Sequence, residues 1–412
     1  MIVKLIHRPE SAFRFYLDDT LDRFEYHLQN GEFPDDDERE EERLELYEIL
    51  TDQQRRQVWG LSADLYSLLD NEQPPREDVN LSADEVAEKL QLAYSMSDWT
   101  DLLCLLRSQP GTMQRSMVDF MRYRAWSELG FPDVALAFIK NAIRLDPTDS
   151  GFKQQALELL KIMKHWESLA ALAGDYASQC PNDAGVLLAV GESYHDLAIH
   201  SQDKKFDQEA VRCIQHGLEI IAAAEVRKSQ IDSAVVTLSF ALLHLERAGE
   251  GVAVLDKWIE RFAGHPEFHA ARGMIHLTMN YELAIRDFEH AVTNGTQFVL
   301  PYIEYANSLL HGRQYDDAIR VAESGLRFAR RNGDQAKLFH MMAIVCAMTS
   351  APERAGVLMR EAMRWNPTDQ EISSNLKIVE GVGFEHLSMD ARLKLPVMKT
   401  RTADDLLRQI AA

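Results

Sequence analysis

From about residue 80 onwards, apolar side chains return every three or four positions through segments of helical length, and short polar breaks separate those segments. That spacing places one apolar stripe along each of a series of amphipathic helices. The pattern predicts an all-α chain whose helices are short, numerous and joined by tight turns.

The stripes also repeat. Tyr281, Ala284, Phe288 and Ala291 in YELAIRDFEHAV return as Tyr315, Ala318, Ala322 and Gly325 in YDDAIRVAESGL, each displaced by thirty-four residues. A third copy, PERAGVLMREAMRWNPTD, puts Ala355, Met359, Ala362 and Pro367 in the same roles after a three-residue insertion. An earlier one, LGFPDVALAFIKNAIRLDP, carries Ala135, Ala142 and Pro147. A period of this length marks a solenoid of supersecondary units, because each unit buries its apolar face only by stacking on the next.

In these small-residue positions and the proline that follows them, the sequence resembles the tetratricopeptide repeat family. The resemblance implies antiparallel helical hairpins whose small residues mark the closest helix approach and whose proline stops the second helix. Weaker copies fit around the clear ones: Trp99, Leu102 and Pro110; Trp166, Leu169 and Pro181; a unit with Leu187, Gly191 and Tyr194 that carries an insertion near His200 to Lys205 before Ala210 and Gly217; and a unit centred on Ala241 and Ala253. The expected fold is a right-handed superhelical solenoid of about six to eight tetratricopeptide-like hairpins over residues 81–369.

The family's register also implies a binding surface. Its first helices line a concave wall, and that register places His269, His276, Ile303, Asn307, Leu310, His311, His340 and Ile344 there as a candidate peptide groove. Four histidines on one groove would offer neutral hydrogen bonding, or positive charge near pH 6. Some family members clamp a terminal carboxylate with paired Lys and Asn. Here Asn307 holds one such place, but His269, Ile303 and His340 stand where lysine is expected, so that specific activity is not expected.

Residues 1–80 lack the repeat and read as helices near Asp18 to Gln29, Asp37 to Leu50 and Thr51 to Leu69. Between Glu32 and Glu48 ten acidic residues face two arginines, a local charge of -8. This run is either a solvated helix face or a docking site for a basic partner. At the other end, Gln370 to Gly381 is expected to cap the last exposed apolar face. Residues 382–412 form a tail in which Thr402 and Asp405 resemble a helix start and Leu406, Leu407 and Ile410 give a short apolar stripe. Docking of this tail on the body and a free tail both remain open.

Charge and composition narrow the function. Sixty-five acidic against 44 basic residues give a net charge of -21, which argues against nonspecific nucleic-acid binding. Cys104, Cys180, Cys213 and Cys346 are too far apart for a metal-binding pair or a dense disulfide framework, and no apolar run reaches membrane-spanning length. No signal-type segment is readable at the start, so cytoplasm is the expected location. Phosphate-binding glycine loops, zinc-protease, nucleophile-elbow and kinase motifs are all missing. His265 and His269 are four apart, but Pro266 interrupts the segment, so no structural metal and no cofactor are expected. The reading is a noncatalytic scaffold or adaptor for protein or peptide segments of basic or mixed charge, with no nucleic-acid or membrane partner. A regulatory subunit of an enzyme complex and a self-assembling homo-oligomer are the alternatives.

Overall fold

The computed structural model describes residues 83–107, 113–222, 228–349, 351–381, 395–403 and 405–407, together with Leu393 and scattered positions between 12 and 58. Among the described residues the structure is all-α, with no strand, and its helices pair into tandem tetratricopeptide-like hairpins. The chain divides into two compact units, 1–165 and 166–412.

The first unit contains α1 (Ala83–Ser95), α2 (Trp99–Arg107), α3 (Arg115–Glu128), α4 (Pro132–Leu145) and α5 (Ser150–Ile162). α1 pairs with α2 and α3 with α4, and α5 packs on α4. Ala135 and Ala142 are fully buried in α4 beside Trp126, Phe138 and Ile139, as small residues at a close helix approach must be. Pro132 opens α4 at its first position, where a missing N–H costs nothing. Of the early segment, Ala12, Leu46, Leu50 and Val58 form a separate small cluster. The acidic run up to residue 45, Gly31 to Asp37 and most of the expected helix to Leu69 lie outside the described residues.

The second unit contains α6 (Trp166–Gln179), α7 (Ala184–Ser201), α8 (Lys204–Ala222), α9 (Lys228–His244), α10 (Ala248–Arg261), α11 (Pro266–His276), α12 (Tyr281–Thr293), α13 (Val299–His311), α14 (Tyr315–Gly325), α15 (Asn332–Met348), α16 (Pro352–Trp365) and α17 (Gln370–Gly381). The hairpins are α7/α8, α9/α10, α11/α12, α13/α14 and α15/α16, each stacked on the next. The first helices α7, α9, α11, α13 and α15 also touch one another in succession, so they make a continuous wall within this unit. α17 packs on α16 with Ile372 and Val379 buried.

Small residues sit at the hairpin contacts because nothing larger fits. A Cβ on Gly273 of α11 would lie 2.7 Å from the Phe288 ring of α12, and one on Gly325 of α14 would lie 2.7 Å from Cβ of Tyr302. In the α9/α10 hairpin the tight position is Gly251, whose Cβ would meet the Ser239 carbonyl at 2.8 Å. Of the two residues expected at the centre of that repeat, Ala241 is fully buried and Ala253 is exposed. The difference arises because two small residues stand two apart on α10, which puts them on opposite sides of the helix.

Both sequence insertions are absorbed as helix. The extra residues near His200 lengthen α7 to 18 residues and α8 to 19, and the extra residues before Ala355 make α15 17 residues long against 13 in α13. An added turn keeps its backbone hydrogen-bonded, whereas a loop of the same length would leave polar groups to water. The α1/α2, α3/α4, α7/α8, α9/α10 and α13/α14 turns share a conformation that the α11/α12 turn does not adopt: Ser97, Gly130, Gln202, Glu246 and Arg313 have φ between 58° and 89°, and each stands two residues before the next helix begins. The left-handed residue ends one helix and re-aims the chain for the next.

Candidate functional site

The first-helix wall of the second unit carries the residues that the register singles out, and they fall into three environments. On α11, His269 and His276 turn toward α12. His276 donates from Nδ1 to Asp287 at 2.9 Å, His269 approaches the same carboxylate at 3.4 Å, and its ring stacks on His290 with centroids 3.9 Å apart. Arg272 forks onto Asp287 at 2.6 Å and reaches Asp256 at 2.6 Å. Burial alone would raise the Asp287 carboxyl, but the His269, His276 and Arg272 hydrogen bonds outweigh it and hold the group well below the usual carboxylate range. These histidines therefore serve as donors around a buried anion within one hairpin.

On α15, Ile344 is fully buried and His340 nearly so. The His340 ring accepts at Nε2 from the Asn375 amide of α17 at 2.9 Å, which fixes the proton on Nδ1. Burial pushes its pKa down to about 4, with Asp369 opposing only in part. This imidazole stays neutral at pH 6 and joins the cap to the last hairpin.

The third environment lies on α13. Ile303 and Leu310 belong to the hydrophobic core shared with α14 to α17. Glu304, Asn307 and His311 follow one another at three- and four-residue spacing on one face of the helix. Across that face lies the chain's own carboxyl-terminal segment. Leu393 is buried and Leu395 packs against the same core. The Pro396 carbonyl accepts from His311 Nε2 at 2.8 Å, the Arg401 N–H donates to the Leu277 carbonyl at 2.9 Å, and the Arg401 guanidinium pairs with Glu304. Glu304 is itself almost fully buried, and Tyr281 points its hydroxyl at the same carboxylate from 3.4 Å. Burial lifts the Glu304 pKa, with Arg401, Lys337 and the Tyr281 contact working against that rise.

Beyond Arg401 the segment turns helical, and Thr402 Oγ1 accepts from the Asp405 N–H at 3.1 Å, the helix start its sequence predicts. Leu406 and Leu407 are buried, worth about 2 kcal/mol each by area removed from water. Leu407 borders a cavity of about 520 Å³ whose walls include Ile199, Val236, Phe240 and Phe298 and whose polar groups include Asp196, Asp232 and Glu267. The tail thus crosses the wall from the α15 end toward α7 and α9, opposite to the order of the hairpins. Val397, 72% exposed, and Met398 face outward.

The structure brings Asn307 and His311 together with Glu304, Tyr281 and Arg401, and keeps the α11 and α15 histidines apart from them. Asn307 is buried, and its Oδ1 has no partner among the described residues. Sequence reasoning missed Glu304 and Arg401, which stand 97 residues apart. One signal was present: Arg392 to Ala403 holds four cations and no carboxylate in a chain of net charge -21. A further buried carboxylate, Asp207 of α8, takes His195 at 2.7 Å and His244 at 2.5 Å. Among the described residues no group of histidine, cysteine and carboxylate side chains is arranged to hold a metal ion, and no helix is long and apolar enough to cross a membrane.

No family model and no curated protein sequence matches the chain. Solved structures do. It is similar to a tetratricopeptide repeat protein from Parabacteroides merdae at 12% identity, over 65% of this chain and all of that one, with a TM-score of 0.41. It is also similar to the APC/C hetero-tetramer Cut9–Hcn1 at 16% identity, over 81% of this chain and 75% of that one, with a TM-score of 0.34. Both likenesses are distant, and the fold assignment rests on the paired helices themselves.

Proposed function

We propose that the chain is a noncatalytic scaffold or adaptor that binds segments of other proteins along the first-helix wall of its second unit. One observation carries the reading: an extended segment, residues 395–402, already lies on that wall and is held through its backbone at Leu277 and His311 and through an arginine at Glu304. A wall that holds one extended chain by backbone contacts and a buried carboxylate has the chemistry to hold another. Glu304 and the cavity acids Asp196, Asp232 and Glu267 favour a segment of basic or mixed charge, and the net charge of -21 favours its approach.

The test is peptide display against the full chain and against its Glu304→Arg variant. The expected outcome is a set of arginine- or lysine-bearing peptides that compete with one another and are lost from the variant. Peptides that bind the variant as well as the parent refute this placement of the site.

A further inference from the structure

We propose that residues 395–403, with Leu393, Leu406 and Leu407, are a built-in occupant of the groove, and that its partner in trans is a segment of the tail's own chemistry: extended, bearing one arginine for Glu304 and followed five residues later by a pair of leucines. The proposal rests on the groove reading above and adds its regulation and its ligand. The tail is the most specific description of that ligand because every part of the contact is chemically complementary. Arg401 lies on a buried acid, the backbone donates to Leu277 and accepts from His311, and Leu407, beside the buried Leu406, borders the apolar wall of α7 and α9.

Tethering sets the strength of the closure. Eleven residues, 382–392, separate the end of α17 from Leu393. A connection of that length holds the tail at an effective concentration on the order of millimolar. A competing peptide then binds with its intrinsic Kd multiplied by one plus the ratio of that concentration to the tail's own Kd, so a peptide of the tail's sequence binds the intact chain no tighter than about millimolar and only a segment that fits the groove better than the tail binds more tightly. A partner succeeds by bringing further contacts, for which the cavity beside Leu407 provides room.

The experiment is fluorescence anisotropy with a labelled peptide of residues 391–412, titrated with the full chain and with full chains carrying Leu406→Asp with Leu407→Asp or, more mildly, Arg401→Gln. Circular dichroism confirms folding, and hydrogen exchange at the Arg401 amide reports whether the tail is seated. The expected result is a protected amide in the parent, exposed in the variants, with peptide affinity at least about tenfold tighter in the variants. Glu304→Arg in the opened background should abolish that binding, and a peptide with Arg401→Glu should restore it.

Equal affinity for parent and variants overturns the built-in occupant and leaves the groove reading standing. No binding to folded, opened variants overturns both. Dimers that grow with concentration and vanish with Arg401→Gln mean that the tail sits in a second copy, which overturns the closure within one chain.

Discussion

Acidification should weaken the fold through one imidazole, His340. In the folded chain its pKa is pushed down to about 4, against 6.5 when unfolded, because burial disfavours the cation and its Nε2 is committed to accepting from Asn375. A pKa depressed on folding gives stability that is complete above 6.5 and is lost as pH falls toward 4, since the unfolded chain takes up the proton first. Between pH 7.5 and pH 5 that loss is about 2 kcal/mol. Other groups titrate over the same window, so the measured quantity must be a double difference. Urea unfolding of the parent and of His340→Phe, each at pH 7.5 and pH 5, isolates it. At pH 7.5 the variant loses about 1–3 kcal/mol because the Asn375 amide is left without its acceptor. At pH 5 the gap should shrink by about 2 kcal/mol, since phenylalanine takes no proton. Parallel pH slopes for the two proteins would refute the assignment of a neutral, buried His340.

The hairpin register predicts that Gly251→Val costs about 1–3 kcal/mol while Ala253→Val stays within about 0.5 kcal/mol, measured by thermal unfolding. Equal effects would mean that the tight position on α10 is misplaced. Arg313→Gly should stabilise by up to about 1 kcal/mol in urea, because glycine removes the left-handed penalty at φ 60°. Arg401→Gln should raise the Glu304 pKa further, since Arg401 opposes the rise that burial causes. Carboxyl NMR titration reads this directly, and an unchanged value would show that the guanidinium is not seated there. His311→Glu removes the donor to Pro396 and should speed trypsin cleavage after Lys399, with no change in rate counting against the tail's seat.

The repeat was legible in the sequence where small residues are forced by close helix approach. Ala284, Ala318, Ala355 and Ala362 are buried because any larger side chain would part the hairpins. The left-handed turn that recurs in five of the hairpins was not legible. Its position is filled by Ser97, Gly130, Gln202, Glu246 and Arg313, so the regularity lies in backbone conformation and not in residue type. Likewise the family register put His269 and His276 on the open wall, whereas in the structure the pull of one buried carboxylate, Asp287, turns them inward. Periodicity reports which side of a helix faces the core. It does not report which polar side chain will find a charge there.

That distinction explains why the tail belongs to the wall and is not an accessory to it. Asp207 and Asp287 are buried carboxylates satisfied by their own and neighbouring hairpins, through His195 and His244 in one case and His269, Arg272 and His276 in the other. Glu304 is as deeply buried, but its guanidinium comes from residue 401, beyond the last hairpin. Removing one partner from a buried ion pair typically costs about 3–5 kcal/mol, because the remaining charge is stranded in low dielectric. The Tyr281 hydroxyl and the more distant Lys337 offset only part of that cost. A vacant groove is therefore a poor resting state for this chain. Exchange of one arginine-bearing segment for another keeps Glu304 paired throughout, which is why a partner should displace the tail stepwise, entering at the Leu407 cavity before Arg401 leaves.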